Sequence, residues 1–146
     1  LDEELERRNG VSIALIFELE GEDGFRQRES RLIEELAQQE GVVLATGGGA
    51  VLAEANRRQL HAHGFVLYLS TTVSQQLTRL ARDAKRPLLR TPDRRERLEA
   101  MAQLRNPLYE EIADMSVTGS NSAVALAARQ IAGRLETQWQ RAGVTA

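Results

Sequence analysis

The sequence contains no cysteine, so it forms neither a disulfide nor a thiolate metal site, and it offers no cysteine nucleophile. A chain without cysteine fits a reducing compartment, and with no signal peptide at its start it predicts a cytoplasmic protein. No apolar run approaches the roughly 20 residues that span a bilayer, so we expect no contact with a membrane. The formal net charge of −2 gives no reason to expect bulk binding to nucleic acid.

Two further absences concern the start of the chain and its phosphate-binding capacity. Residue 1 is Leu rather than Met, and a helical pattern begins at once. The motif G-x-x-x-x-G-K-[ST] does not occur, because Lys85 is the only lysine and Arg86-Pro87 follows it. We therefore expect the 146 residues to begin inside a domain.

The residues that are present fit one globular domain. Hydrophobic residues make up 42% of the chain and charged residues 27%, near globular averages, so we expect a single domain over residues 1–146. Residues 1–40 hold 12 acidic and 5 basic residues, whereas residues 41–97 hold 4 and 10. The basic middle predicts a local anion site, and an ordinary mixture of solvated helix faces is the alternative.

Apolar runs predict three strands. Val42–Thr46 and Phe65–Leu69 are continuous apolar segments, which is typical of buried parallel strands, and Met115–Thr118 predicts a third. Helical patterns lie between them, so the sequence predicts an α/β fold with a parallel sheet. Three strands are too few to cover so many helices, and we expect further strands upstream.

The predicted helices are punctuated by glycine, asparagine and serine. Gly21 and Gly24 are expected to break the pattern, and Asn106 is expected to cap a new helix that starts at Pro107. The predicted helices cover residues 2–8, a short segment capped by Ser12, Phe25 to near Gly41, and residues 54–63, 73–82, 94–105, 107–113 and a last segment from the Ser122 cap to Trp139.

Three consecutive glycines, Gly47, Gly48 and Gly49, directly follow the first predicted strand. In open parallel sheets, ligands bind just beyond the carboxyl ends of the strands. A stretch without side chains lets backbone N–H groups approach a ligand closely. We interpret the triple glycine as part of a binding site, with a tight strand-to-helix turn as the alternative.

Basic residues concentrate in one segment, since 8 of the 19 lie between Arg79 and Arg97. Guanidinium groups suit phosphate recognition because their planar fork bonds two oxygens at once and keeps its charge. The sequence of Arg86–Leu89 combines a charge, a stiff turn and two apolar groups, which indicates a loop that closes over a ligand. Arg94, Arg95 and Arg97 instead fit a solvated helix face.

Arg26 lies where a helix is predicted to begin, and Arg105 immediately precedes the predicted helix start at Asn106-Pro107. The positive end of the helix dipole at such a start attracts anions. Asp2 is one of four acids within the first six residues, a pattern typical of exposed surface. His61 and His63 have no acidic cluster beside them in the sequence, so we interpret them as structural residues rather than metal ligands.

Five segments, taken together and in order, resemble the shikimate kinase family: LDEELERRNG, IFELEGEDGFRQRE, VLATGGGAV, KRPLL and LRNPLYEEIAD. The resemblance covers nearly the whole chain. It implies a P-loop kinase-type three-layer fold, with a parallel sheet in the order 2-3-1-4-5 whose first two strands are absent here, and a lid over residues 79–92. It also implies transfer of the γ-phosphate of ATP to the 3-hydroxyl of shikimate, with Mg²⁺ held in the missing phosphate-binding loop.

The resemblance further implies roles for individual residues. Arg26 and Arg105 match the arginines that hold the shikimate carboxylate, and Asp2 matches an acid that holds the hydroxyls and accepts a proton. The remaining matches are Gly47, Gly48 and Gly49 facing the same substrate, Arg86 of the lid at the ATP phosphates, Arg79 near adenine, and Phe17, Phe25 and Glu29 around the substrate pocket. A late arginine of the family has no match, since the chain reads Gly119–Ser122 near Asn121.

Two other classes of function stay open at this point. One is a non-catalytic protein that binds a shikimate-like carboxylate, and the other is a related P-loop kinase for a small molecule, such as a gluconate kinase. Arg26 and Arg105 together with Asp2 suit a rigid cyclic hydroxy acid, which disfavours gluconate. We expect a monomer that binds shikimate and ATP.

Overall fold

The structure is a computed structural model that describes residues 1–82, 93–119 and 124–139. The described residues form helices and strands in the order α1 Asp2–Asn9, α2 Ile13–Ala37, α3 Glu54–His63, β1 Leu67–Ser70, α4 Val73–Arg82, α5 Arg94–Ile112, β2 Met115–Thr118 and α6 Val124–Gln138. A turn of 3-10 helix spans Ala50–Leu52. The alternation of helices and parallel strands confirms the predicted α/β fold class.

The two strands pair in parallel, with Leu67 opposite Met115 and Ser70 opposite Thr118. Parallel neighbours need a crossover connection, which α4 and the following helix α5 supply. The predicted strand Phe65–Leu69 is therefore shifted, because β1 begins at Leu67. Leu69 is 59% exposed, so the prediction of a fully buried strand is wrong. Among the described residues this pair forms the whole sheet, and it leaves one edge of β1 without a strand partner.

The predicted strand Val42–Thr46 is also wrong. Residues 42–47 have no regular secondary structure, and the side chain of Val43 is 97% exposed. A β-strand exists through hydrogen bonds to a neighbour, and within the described ranges no strand pairs with this segment. The segment therefore has the apolar composition of a strand, but without a strand partner it does not form one.

Local signals set the end of α1 and the start of α2 as predicted, whereas the short second helix and the separate helix from Phe25 to near Gly41 are one element that ends at Ala37. Gly10 adopts the left-handed conformation with φ of 67° and its N–H donates to the Glu6 carbonyl, which ends α1. Ser12 caps α2 by accepting a hydrogen bond from the Leu15 N–H at 3.2 Å. Gly21, with φ of 71°, interrupts α2, whereas Gly24 stays helical and does not break it.

Helix α5 runs without interruption from Arg94 to Ile112, with Pro107 inside it. The predicted helix boundary at Asn106-Pro107 is therefore wrong. The side chain of Asn106 does not cap a helix but accepts a hydrogen bond from the Tyr68 hydroxyl at 3.3 Å. The proline costs one backbone hydrogen bond of the helix, and the unbroken helix keeps Arg105 and Tyr109 on one rigid element.

A cluster of buried apolar side chains lies between α1 and α2. Leu5, Ile16, Phe25 and Leu32 form a buried cluster. Because Phe25 is buried in this cluster, the adjacent residue Arg26 has a fixed starting point at the edge of the core. The predicted cap Ser122 and the lid residues 83–92 lie outside the described residues.

The helices α1 to α6 include none that is both long enough and apolar enough to cross a membrane, over the part of the chain that the structure describes. Trp139 packs its ring at 5.8 Å from the ring of Phe65.

Candidate anion-binding site

The triple glycine lies at a point where three polar side chains converge. A Cβ atom built on Gly47 would be 3.6 Å from Glu29 Oε1, and one built on Gly49 would be 2.6 Å from Arg26 Cζ. A Cβ atom on Gly48 would be 3.5 Å from Arg105 Nη1. Gly10, Gly21 and Gly41 are the described glycines with a positive φ, so the triple glycine is required for close approach rather than for an unusual backbone conformation.

Arg26 lies on α2 between two carboxylates. Its Nη1 donates to Glu29 Oε2 at 2.6 Å, and its Nη2 donates to Glu22 Oε1 at 3.3 Å. Burial by itself lowers the pKa of the Arg26 guanidinium, but the hydrogen bonds and charges of Glu29 and Glu22 outweigh it and raise the pKa overall. Arg26 is therefore a permanent cation held in one orientation.

A guanidinium carries five N–H donors, and the two hydrogen bonds to carboxylates leave others for a ligand. The Nε of Arg26 is buried and has no hydrogen-bond partner among the described residues. A buried donor without a partner costs free energy, on the order of 1–3 kcal/mol. The side chain as a whole is 26% exposed, so the N–H groups that the carboxylates leave free on its exposed part are suited to an additional anionic acceptor.

Arg105 approaches the glycine loop from α5. Its Nε is likewise buried without a hydrogen-bond partner among the described residues, and the ion pairs of those residues do not include it. Gly48 and Gly49 are consecutive, so the Cα atoms that the two arginines approach are about 3.8 Å apart. Arg26 and Arg105 thus face one short stretch of backbone from two different helices.

An acid and two aromatic rings form the rest of the site on α2. Glu29 is 1% exposed, and its Oε1 has no hydrogen-bond partner among the described residues. The rings of Phe17 and Phe25 stack at 4.7 Å, and the guanidinium of Arg26 lies 5.1 Å from the centre of the Phe25 ring. The Phe25 ring thus makes a cation–π contact with the guanidinium, while Glu29 accepts a hydrogen bond from one of its terminal nitrogens.

Asp2 lies at the start of α1, in an exposed position. The nitrogen of Leu1 donates to the Ala45 carbonyl at 3.0 Å, which places the beginning of α1 beside the segment that leads into the triple glycine. The structure therefore brings Asp2 to the same side of the molecule as Gly47. It shows no side-chain contact between Asp2 and either arginine.

Arg79 lies elsewhere, at the carboxyl end of the sheet. A Cβ atom on Gly119, directly after β2, would be 3.4 Å from Arg79 Nη2, and Gln75 donates to the Gly119 carbonyl at 2.8 Å. Arg79 therefore belongs to a second region, near the strand ends rather than at the triple glycine. Arg86 and Asn121 lie outside the described residues.

Sequence reasoning assigned no role to Tyr109. Its hydroxyl donates to the Gly48 carbonyl at 2.6 Å, and its ring stacks on that of Tyr68 at 4.9 Å. A signal was present, because Tyr109 follows Arg105 by four residues and so lies on the same face of a continuous helix. The predicted helix boundary at Pro107 obscured it.

The described residues provide no cluster of three or more histidine, aspartate or glutamate side chains that would hold a metal ion. None of the described residues is therefore assigned to the magnesium ion that the resemblance implies.

The fold and the site define a class: an α/β protein in which two arginines from separate helices face one glycine loop. Comparison with known proteins then specifies the family, because the family model for shikimate kinase matches residues 1–136. The chain belongs to the shikimate kinase family.

Individual relatives agree with the family model. The chain is 51% identical to the shikimate kinase of Vibrio cholerae over 135 residues, which is 92% of this chain and 78% of the relative. It is 55% identical to the shikimate kinase of Actinobacillus pleuropneumoniae over 130 residues, covering 89% and 75%.

Solved structures give the same result for the fold. The structure of shikimate kinase from Acinetobacter baumannii in complex with shikimate matches with a TM-score of 0.80 and 40% identity, covering 95% of this chain and 78% of the other. Shikimate kinase from Aquifex aeolicus matches with a TM-score of 0.76 and 32% identity, covering 92% and 78%. The predicted P-loop kinase type of fold is thereby confirmed.

Proposed function

We propose that the protein phosphorylates shikimate at its 3-hydroxyl, with ATP as the phosphate donor, in the biosynthesis of aromatic amino acids. The observation that carries the proposal is the approach of Arg26 and Arg105 to one glycine loop. The relatives' names and the shikimate complex of a structural neighbour support the same substrate.

In this proposal the two arginines hold the carboxylate of shikimate. A carboxylate accepts two parallel N–H bonds from a guanidinium, so two arginines from separate helices fix both the position and the direction of a rigid ring. The backbone of Gly47, Gly48 and Gly49 lies against the ring because no side chain intervenes. The hydroxyl groups of shikimate then point away from the clamp.

We further propose that Asp2 orients the attacked hydroxyl and accepts its proton. The start of α1 lies beside the segment that leads into the glycine loop, which supports this assignment. Proton removal by a positioned carboxylate assists a nucleophilic hydroxyl. Phosphoryl transfer otherwise depends on positioning and on cations near the transferred group, and we assign Arg86 to that role on the resemblance alone.

We propose that residues 1–146 belong to one domain, with residues 79–92 as a lid over the nucleotide and Arg79 beside the adenine. The location of Arg79 next to Gly119, at the strand ends, supports a nucleotide contact separate from the carboxylate site. We also propose that the 146 residues alone do not transfer phosphate, because the phosphate-binding motif does not occur in them.

The test is a coupled assay that measures ADP formation by the product of the full gene, with and without shikimate. Shikimate-dependent ADP formation is expected, and gluconate in place of shikimate should give none. Calorimetric titration with shikimate accompanies the assay. Binding of shikimate without any ADP formation would replace the proposed kinase with a non-catalytic carboxylate-binding protein.

A further inference from the structure

The hydroxyl of Tyr109 is hydrogen-bonded to the central residue of the triple glycine. The Tyr109 Oη donates to the Gly48 carbonyl at 2.6 Å, across 61 positions of sequence. A glycine-rich segment has more backbone freedom than any other, so it holds a ligand well only when something outside it restricts it. Tyr109 provides such a restriction from helix α5.

The ring of Tyr109 is itself held in place. It stacks on the ring of Tyr68 with centroids 4.9 Å apart and planes inclined by 26°, an arrangement that stabilises an aromatic pair beyond the area it buries. The Tyr68 hydroxyl donates to Asn106 on the same helix as Tyr109. The stacked ring of Tyr68, rather than its hydroxyl, thus holds the tyrosine whose hydroxyl reaches the loop.

Gly48 and Tyr109 are matched in shape as well as by their hydrogen bond. A Cβ atom on Gly48 would be 3.0 Å from the Tyr109 hydroxyl oxygen, a distance well inside ordinary carbon–oxygen contact. The absence of a side chain at Gly48 is therefore what allows the hydroxyl to reach the carbonyl. Arg105 stays at 3.5 Å from the same point, which is ordinary contact.

We propose that Tyr109 is a positioning residue for substrate binding. By fixing the Gly48 carbonyl, it fixes the plane of the Gly48–Gly49 peptide, and so the backbone that faces the carboxylate held by Arg26 and Arg105. The inference rests on the proposed function for its substrate, while its structural part, the restraint of the loop by Tyr109, does not.

The first experiment compares Tyr109→Phe with Tyr68→Phe in the full gene product. Each change removes one hydroxyl and keeps the ring, but only the Tyr109 hydroxyl contacts the glycine loop. Tyr109→Phe should raise the KM for shikimate about three- to tenfold, the effect of one lost hydrogen bond, with the KM for ATP within about twofold of wild type. Tyr68→Phe should change the KM for shikimate less than about twofold.

The second experiment uses amide hydrogen exchange and needs no turnover. In the protein without shikimate, Tyr109→Phe should speed exchange in the peptide that covers residues 47–52, whereas Tyr68→Phe should not. Adding Tyr109→Phe to Gly48→Ala should then improve shikimate binding relative to Gly48→Ala alone, because the hydroxyl that crowds the new methyl group is removed.

The outcomes separate the inference from the proposed function. Unchanged exchange at residues 47–52 together with an unchanged KM for shikimate in Tyr109→Phe would overturn the inference. Equal effects of both tyrosine substitutions would also overturn it, since they would show a general loss of packing. A wild-type protein without shikimate-dependent turnover refutes the proposed function, and the exchange measurement still decides whether Tyr109 holds the loop.

Discussion

At the scale of single residues, Arg26 has two kinds of partner. Glu29 and Glu22 hold its terminal nitrogens at 2.6 and 3.3 Å, and these acids orient the guanidinium before any ligand arrives. The side chain stays 26% exposed, so the N–H groups that these acids leave free there are open to a further acceptor. An ion pair that orients a cation in this way lowers the entropy cost of binding a substrate carboxylate.

Arg26→Ala or Arg105→Ala in the full gene product should weaken shikimate binding by more than about tenfold, because loss of one charged hydrogen-bonding partner costs about 1.5–3 kcal/mol. ATP affinity should change much less. Calorimetric titration with each ligand measures both. Arg58→Ala is the matched control, since Arg58 is an exposed arginine that pairs only with Glu54 on its own helix. Unchanged shikimate affinity in both site variants contradicts the carboxylate clamp.

Gly49→Ala should have an effect as large as losing an arginine. The new methyl group would lie 2.6 Å from the Arg26 Cζ, so the guanidinium must leave its position, and shikimate affinity should fall by more than about tenfold. Gly133→Ala is the control, because a Cβ atom there meets nothing within 4 Å. If shikimate binds Gly49→Ala as it binds wild type, the glycine does not serve the approach of Arg26.

At the scale of elements, charged side chains hold α1 in place beside α2. Arg8 pairs with Glu35 of α2 at 2.7 Å, and Arg28 of α2 donates to Asn9 of α1. Within α1, Glu4 accepts hydrogen bonds from both Arg7 and Arg8. By holding Arg8, which pairs with Glu35 of α2, this network stabilises the position of α1, the helix that carries Asp2.

The network makes α1 sensitive to acid. The hydrogen bonds from Arg7 and then Arg8 lower the pKa of Glu4 from 4.5 to about 2. A carboxyl whose pKa is depressed by folding stabilises the folded state above its unfolded pKa, and that contribution is lost as the pH falls toward the folded pKa. Stability supplied by Glu4 should therefore decline between pH 4.5 and about 2.

Thermal unfolding of the full gene product between pH 5 and pH 2 measures this decline, and NMR titration of the Glu4 carboxyl carbon measures its pKa. Glu4→Gln should lower the melting temperature at pH 5 and flatten its dependence on pH over this interval. Glu3→Gln, in the same exposed turn, is the control. Equal pH profiles for Glu4→Gln and wild type would show that the network does not stabilise the fold.

At the scale of the whole molecule, the described residues leave apolar surface uncovered on one side. Val43 is 97% exposed and Leu69 is 59% exposed, although both lie in runs whose composition is that of buried strands. Such segments expose unpaired backbone groups beside apolar side chains, which is unfavourable in water and promotes aggregation.

Residues 1–146 expressed alone should therefore neither form ADP nor unfold as a stable monomer with one cooperative transition. The measurements are thermal unfolding, size-exclusion chromatography and the coupled kinase assay, with the full gene product under the same conditions as the control. A cooperative transition together with shikimate-dependent ADP release from the 146 residues would contradict this prediction. It would also show that the motif G-x-x-x-x-G-K-[ST] is dispensable here.

Local signals in the sequence were sufficient for several elements. The bounds of α3, α4 and β2 follow from periodicity and from glycine and threonine at their ends, and the cap at Ser12 follows from the side chain's own hydrogen-bonding capacity. These features depend on residues within one or two turns of each other. The motifs that carry the resemblance likewise predicted the residues of the proposed carboxylate site, which are Arg26, Gly47–Gly49 and Arg105.

Tertiary structure decided what depends on partners distant in the chain. Val42–Thr46 has the composition of a strand, but strand formation requires a neighbour, and the described residues supply none. Pro107 stays within α5, and Asn106 accepts a hydrogen bond from Tyr68 of β1 instead of capping a helix. The bond between Tyr109 and Gly48 joins residues 61 positions apart, and no local pattern carries such a contact. A hydrogen bond between groups so far apart in the sequence forms only when tertiary packing brings the two groups together.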